Sequence, residues 1–182
     1  MTVPNLITTI RIVLAPIFVI YLINDQHLSA LIVLVICGVS DGLDGLVARA
    51  FNQKSRLGSF LDPIADKILL DAAFIALSIR NFLPPWLTVT VIARDVLILL
   101  GVFVLFMNRF EFHIRPSLWS KITTCLQFVT VIAVLAKEFM IMPPRLHLYL
   151  FYATALFTIA SGLHYMHYWF GMIGEGAGNQ KR

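Results

Sequence analysis

Residues 41–67 read DGLDGLVARAFNQKSRLGSFLDPIADK. Four aspartates, Asp41, Asp44, Asp62 and Asp66, stand inside or beside apolar runs. A buried carboxylate is costly unless something positive sits with it. Helical spacing turns the four into a pattern. With Asp41 at 0° on a wheel of ~100° per residue, Asp44 falls at about −60°, Gly45 at about +40°, Ala48 at about −20° and Arg49 at about +80°. With Asp62 at 0°, Gly58 falls at about −40° and Asp66 at about +40°. Each helix therefore carries two carboxylates and small residues on one face. The connector between them is short and basic, with Lys54 and Arg56. A short connector makes the two helices antiparallel neighbours, so the acidic faces are expected to oppose each other. Four crowded carboxylates repel at low dielectric. Either some stay protonated or cations sit between them, and hard divalent ions with oxygen ligands are the natural solution. Gly45, Ala48 and Gly58 let a ligand approach the backbone closely. Close helix packing is the competing reading for these small residues.

The rest of the chain places this stretch in a bilayer. Of 182 residues, 59% are hydrophobic and only 13% charged. A soluble domain carries roughly 25% charged residues. Mean hydropathy is +0.84. The expectation is an all-α integral membrane protein. Six apolar segments approach the ~20 residues a spanning helix needs: Ile7–Ile23, Leu28–Ala50, Ser59–Ile79, Pro85–Met107, Leu118–Leu135 and Leu146–Phe170. They make one six-helix domain over residues 1–170, followed by a flexible tail, 171–182, broken up by Gly171, Gly174, Gly176 and Gly178. Arg11, Arg49, Lys54, Arg56, Arg109, Arg115, Lys181 and Arg182 fall on one side; only Arg80, Lys137 and Arg145 fall on the other. This bias predicts both termini, and the acidic stretch, on the cytoplasmic side. The net charge of +4 has the same origin, since no basic run resembles a nucleic-acid patch. No basic n-region, cleavage site or Arg/Ser-rich transit segment opens the chain. The expected location is a bacterial inner membrane. Cys37 and Cys125 read as small buried hydrophobes. No P-loop, dinucleotide fingerprint or Gly-x-Ser-x-Gly elbow is present.

The pattern D-x-x-D-G-x-x-A-R, eight residues, G-x-x-x-D-x-x-x-D, filled here by Asp41, Asp44, Gly45, Ala48, Arg49, Gly58, Asp62 and Asp66, resembles the CDP-alcohol phosphotransferase (CDP-alcohol phosphatidyltransferase) family. Pro4, Asn5, Thr8 and Arg11 extend the resemblance toward the N-terminus. It implies six transmembrane helices, a homodimer, and a transferase of phospholipid biosynthesis that moves a substituted phosphate from a CDP-linked donor such as CDP-diacylglycerol to an alcohol, releasing CMP. It implies two divalent ions, Mg²⁺ or Mn²⁺, on Asp41, Asp44, Asp62 and Asp66, with Asp66 as general base. Gly45, Ala48 and Gly58 would line the cytidine pocket, Arg49 would hold the diphosphate or order the site, and Asn5 and Thr8 would join the donor-binding set.

The run Asp62-Pro63-Ile64-Ala65-Asp66-Lys67 resembles the branch with glycerol-type acceptors, which holds phosphatidylglycerophosphate synthases and cardiolipin synthases. Ala93-Arg94-Asp95 and Arg115-Pro116-Ser117, followed by Ser120-Lys121, resemble the cardiolipin type more closely. Leu99, Leu100, Gly101 and Val102 stand where glycerophosphate users often carry a further arginine. A short chain without a transit peptide is more often a phosphatidylglycerophosphate synthase, so glycerol 3-phosphate is the expected acceptor and phosphatidylglycerol the alternative. Both are anionic, which nominates Arg94, Arg115 and Lys121 as acceptor-binding cations. A buried Arg94 neutralised by a carboxylate is the plainer alternative. Lys67 is expected to pair with Asp71, one turn on. A small cation transporter is the rival of another class, since intramembrane carboxylates also mark ion pathways; here the acids cluster at one end of two helices instead of lining a path.

Overall fold

In a computed structural model the chain forms six helices, α1 (Val3–Ile23), α2 (His27–Phe51), α3 (Gly58–Ile79), α4 (Pro85–Met107), α5 (Leu118–Ala136) and α6 (Leu146–Asn179). The structure describes residues 3–51, 58–107, 118–140, 143 and 145–179, and holds no strand among them. Arg115, the basic loop residues Lys54, Arg56 and Arg109, and residues 180–182 lie outside the described residues.

Helix boundaries follow the apolar segments to within a residue, with two extensions. α1 begins at Val3, four residues before Ile7, and α6 runs to Asn179 through the glycines expected in a flexible tail. Gly costs about 1 kcal/mol in a helix relative to Ala, too little to end one that already satisfies its own backbone. α1 and α3 stop in the same way. Gln26 N–H donates to the Tyr21 carbonyl at 2.9 Å and Phe82 N–H to that of Leu77 at 2.9 Å. The residues before them, Asp25 (φ 59°) and Asn81 (φ 61°), take the left-handed conformation of this cap. Short polar side chains tolerate it best after glycine.

These abrupt caps reverse the chain within a few residues. The two corners they form meet the corner after α5 at one end of the bundle. Arg80 forms an ion pair with Asp25, and His27 with Glu138. The His27 ring also lies edge-on to Phe82, centroids 5.1 Å apart. The corners 24–26, 80–84 and 137–145 therefore share an end, as the count of basic residues implied for Arg80, Lys137 and Arg145. The opposite end must collect the start of α1, the end of α2, the start of α3 and the start of α5.

Near the corners the core is apolar, built on Phe18, Leu22, Leu34, Phe74, Leu77, Leu87, Val131 and Leu135. Arg94, Asp95, Thr123, Gln127, Thr130, Thr154, Thr158 and Ser161 are also buried. By contrast Ile36, Val39, Leu100, Leu118, Leu156 and Leu163 are all more than half exposed. Polar inside and apolar outside is the arrangement of a helix bundle in hydrocarbon. Among the described residues two helices, Leu118–Ala136 and Leu146–His167, are long and apolar enough to cross a membrane. Cys37 is buried as expected, but Cys125 is exposed. It shares the outward stripe of α5 with Leu118, Ile122 and Val129, a place where a small apolar side chain needs no burial.

Candidate active site

α2 buries His27, Ala30, Leu34 and Cys37. This 3-4-3 stripe continues in register through Asp41, Asp44 and Ala48. α3 buries Leu69, Ala73 and Leu77, and the same stripe runs back through Asp66, Asp62 and Gly58. On α1 the stripe of Leu22, Phe18 and Ala15 runs back through Arg11 to Thr8, with Asn5 at its edge. By helical register alone, the sequence motif falls on the line of these buried stripes.

The levels match as well. At ~1.5 Å per residue, Asp41 lies about 21 Å along α2 from the corner end, and Asp66 about 20 Å along α3. Asp44 and Asp62 both lie at about 26 Å. Thr8, Lys121 and Asn5 fall between about 22 and 27 Å by the same measure. Asp41 and Asp66 therefore share one level along their helices, and Asp44 and Asp62 another.

α2 and α3 were expected to be direct neighbours. Among the described residues they make no close backbone contact; α1 and α5 each pack on both. α1 and α5 thus act as spacer helices along the described part of the pair. Glycine sets how closely α5 approaches α2: a Cβ on Gly38 would lie 2.2 Å from Cζ of Phe128. α4 receives α6 in the same manner, since a Cβ on Gly101 would lie 2.0 Å from the Trp169 indole. Within the acceptor-linked stretch Leu99–Val102, Gly101 is thus covered by an aromatic ring.

Beside Asp66 lies an ionic cluster that the sequence reading only half anticipated. Lys67 forms its ion pair with Asp95 of α4; Asp71, the expected partner, lies in the same cluster and is hydrogen-bonded to Asp95. Asp95 Oδ1 also accepts from Arg94 Nη1 at 2.5 Å. Arg94 Nη2 donates to Ser120 Oγ on α5 and Ser161 Oγ on α6, both at 2.8 Å. Arg94 and Asp95 are 4% and 3% exposed. Gly162 makes room for the Arg94 stem, with Cγ 3.6 Å from where its Cβ would lie. Arg94 Nε and Asp71 Oδ1 are buried without a hydrogen-bond partner among the described residues. The signal for this cluster was two cations in apolar helices with an aspartate adjoining one of them; Ser120 and Ser161 gave no signal, because serine is common in membrane helices. Of the other acceptor candidates, Lys121 is exposed near the start of α5, and Arg115 lies outside the described residues.

The α5–α6 seam is polar. Thr130 and Thr154 hydroxyls meet at 2.7 Å, Gln127 Nε2 reaches Thr158 Oγ1 at 3.5 Å, and Thr123 Oγ1 lies 3.0 Å from the Phe157 carbonyl. Thr123 and Gln127 thus bridge helices, while Thr124 bonds within its own helix to the Ser120 carbonyl. His164 packs edge-on to Tyr165, which in turn meets Trp169, so this histidine belongs to an aromatic cluster.

The profile of the CDP-alcohol phosphatidyltransferases matches residues 1–165. The chain belongs to this family. A CDP-alcohol phosphatidyltransferase is an enzyme, which sets the cation-transporter reading aside. Among curated relatives, the chain is 34% identical over 184 residues to the cardiolipin synthase (CMP-forming) of Rattus norvegicus, covering 92% of this chain and 61% of the rat protein. It is 31% identical over 139 residues to the CDP-diacylglycerol–glycerol-3-phosphate 3-phosphatidyltransferase of Aquifex aeolicus, covering 74% of this chain and 75% of that one. It is 37% identical over 111 residues to the cardiolipin synthase (CMP-forming) of Streptomyces coelicolor, covering 58% of this chain and 52% of the relative. The chain spans about three fifths of the length of the animal relatives it matches.

Proposed function

We propose that this member of the CDP-alcohol phosphatidyltransferase family moves the phosphatidyl group of CDP-diacylglycerol to phosphatidylglycerol, releasing CMP and forming cardiolipin. What supports the chemistry is the register of the four aspartates, Asp41 level with Asp66 and Asp44 level with Asp62 along α2 and α3. The observation that favours phosphatidylglycerol is the match to cardiolipin synthases over 92% of this chain. Glycerol 3-phosphate, the acceptor first expected, is the second reading, supported by the Aquifex relative.

The donor set suits hard divalent ions: four carboxylate positions at two levels along α2 and α3. Mg²⁺ or Mn²⁺ bound by Asp41, Asp44, Asp62 and Asp66 would neutralise charge on the diphosphate. Asp66 takes the proton of the acceptor hydroxyl, an alcohol being a weak nucleophile at neutral pH. The acceptor oxygen bonds to the phosphatidyl phosphorus. The bond from that phosphorus to the bridging oxygen breaks, and CMP leaves with the electron pair. Gly45, Ala48 and Gly58 allow the cytidine end close to the backbone, while Arg49, Asn5 and Thr8 bind the donor. Arg115 and Lys121 attract the acceptor phosphate; Arg94, enclosed and neutralised by Asp95, takes the plainer role of a buried structural cation. The apolar exterior fits six membrane spans with the aspartate end facing the cytoplasm of a bacterial inner membrane, and two copies forming a homodimer.

The test is product identity. Purified protein with CDP-diacylglycerol and Mg²⁺ or Mn²⁺ is offered phosphatidylglycerol or glycerol 3-phosphate, and the lipids are identified by mass spectrometry. Cardiolipin supports the first reading and phosphatidylglycerophosphate the second. No CMP with either acceptor overturns both.

A further inference from the structure

We propose that Lys67 and Asp95 are positioning residues for Asp66, fixing the rotation of α3 about its own axis without touching substrate; this rests on Asp66 having the role given above. Lys67 follows Asp66 directly, about 100° further round the helix. Its ammonium is committed to Asp95, which is 3% exposed. Asp95 is held in turn by Arg94, and Arg94 by Ser120 and Ser161. One continuous chain of charged and polar contacts therefore runs from the turn bearing Asp66 through α4 to α5 and α6.

The need for such a tie follows from the packing around it. On the stripe that carries Asp66, α3 presents Leu69, Ala73 and Leu77. Apolar contacts of this kind resist separation but only weakly resist rotation or sliding, since they have no direction. An ion pair in a low-dielectric interior is directional and costly to break. A carboxylate lies ~6 Å from its helix axis, so a rotation of about 10° moves it about 1 Å. A 1 Å error at a reacting group costs on the order of 10²-fold in rate. α5 adds the second half of the device: it accepts Arg94 through Ser120 and packs on α2 through Phe128 and Gly38. The approach of α5 to α2 and the tie that fixes the rotation of α3 thus involve the same helix.

The experiment compares Lys67→Met, Lys67→Arg, Asp95→Asn and the exchanged pair Lys67→Asp/Asp95→Lys with the parent, reading kcat and KM per mole of folded protein, unfolding midpoint, and affinity for Mn²⁺ alone by electron paramagnetic resonance. Lys67→Met and Asp95→Asn are expected to lower kcat about 10²-fold with KM for CDP-diacylglycerol within about threefold. The exchanged pair is expected to recover at least about tenfold over either single variant. Mn²⁺ is expected to bind more weakly in Lys67→Met because Asp66 is misplaced; a cation acting only through its charge would give the opposite sign. If Lys67→Met does not fold, Lys67→Arg decides: kcat falls about tenfold at an unchanged midpoint if position matters. The proposal is overturned by unchanged kcat in the folded variants, by a rise in KM at constant kcat, or by Mn²⁺ binding that tightens in Lys67→Met. A parent protein that releases no CMP strikes the proposed function instead, and the Mn²⁺ measurement still judges Lys67.

Discussion

The ring of Phe128 on α5 occupies the space where Gly38 of α2 has no side chain; a Cβ there would lie 2.2 Å from the ring. This contact sets how closely the spacer helix approaches the helix of Asp41 and Asp44. Gly38→Ala is therefore expected to force the ring aside and cost about 1–3 kcal/mol, the usual range for overpacking. Thermal unfolding in detergent checks it. Gly38→Ala combined with Phe128→Leu should recover most of the loss, since the clash is with the far edge of the ring.

Arg94 is the hub of the buried cluster, with Asp95, Ser120 and Ser161 around it. Arg94→Met leaves Asp95 and Lys67 in apolar surroundings with one cation removed. Breaking a buried pair from one side costs about 3–5 kcal/mol. Ser161→Ala removes one of two hydroxyls on the same nitrogen and should cost closer to 1 kcal/mol, roughly one hydrogen bond. The ordering of the two unfolding midpoints is the measurement, and equal effects would contradict a hub at Arg94.

At the corner end the expected effects are smaller. Glu138 pairs with His27 but is 38% exposed. Exposed pairs are worth about 0–1 kcal/mol. Glu138→Gln is expected to lower the unfolding free energy by less than about 1 kcal/mol. Asp66 stands about 20 Å away along α3, so CMP release should be unchanged. A large loss of turnover would mean that the two ends are coupled.

For the aspartates the predictions concern chemistry. Asp66→Asn keeps the size of the side chain and removes the base, so CMP release should fall by at least about 10²-fold while the protein still folds. Asp41→Ala or Asp62→Ala should remove activity together with its dependence on Mg²⁺ or Mn²⁺. Excess chelator on the parent protein should have the same effect, and full turnover in chelator would rule out a metal-assisted reaction.

Much of this was already written in the linear chain. Apolar runs of helical length mark six helices because a backbone in lipid must satisfy its own hydrogen bonds, and that rule needs no knowledge of neighbours. The spacing i, i+3 at Asp41 and Asp44 and i, i+4 at Asp62 and Asp66 assigns each pair to one face for the same local reason. Only the tertiary structure decided what those faces meet. It buried Leu34 and Cys37 on α2 and Leu69 and Ala73 on α3, and it set α1 and α5 against both helices. It also brought Asp95 of another helix to Lys67 and placed Asp71 in the same cluster. Local spacing names the partners a side chain could have, but only the packing of helices decides which charges share a low-dielectric interior: Asp95 and Arg94 are nearly wholly enclosed, and ions enclosed together must be paired and hydrogen-bonded.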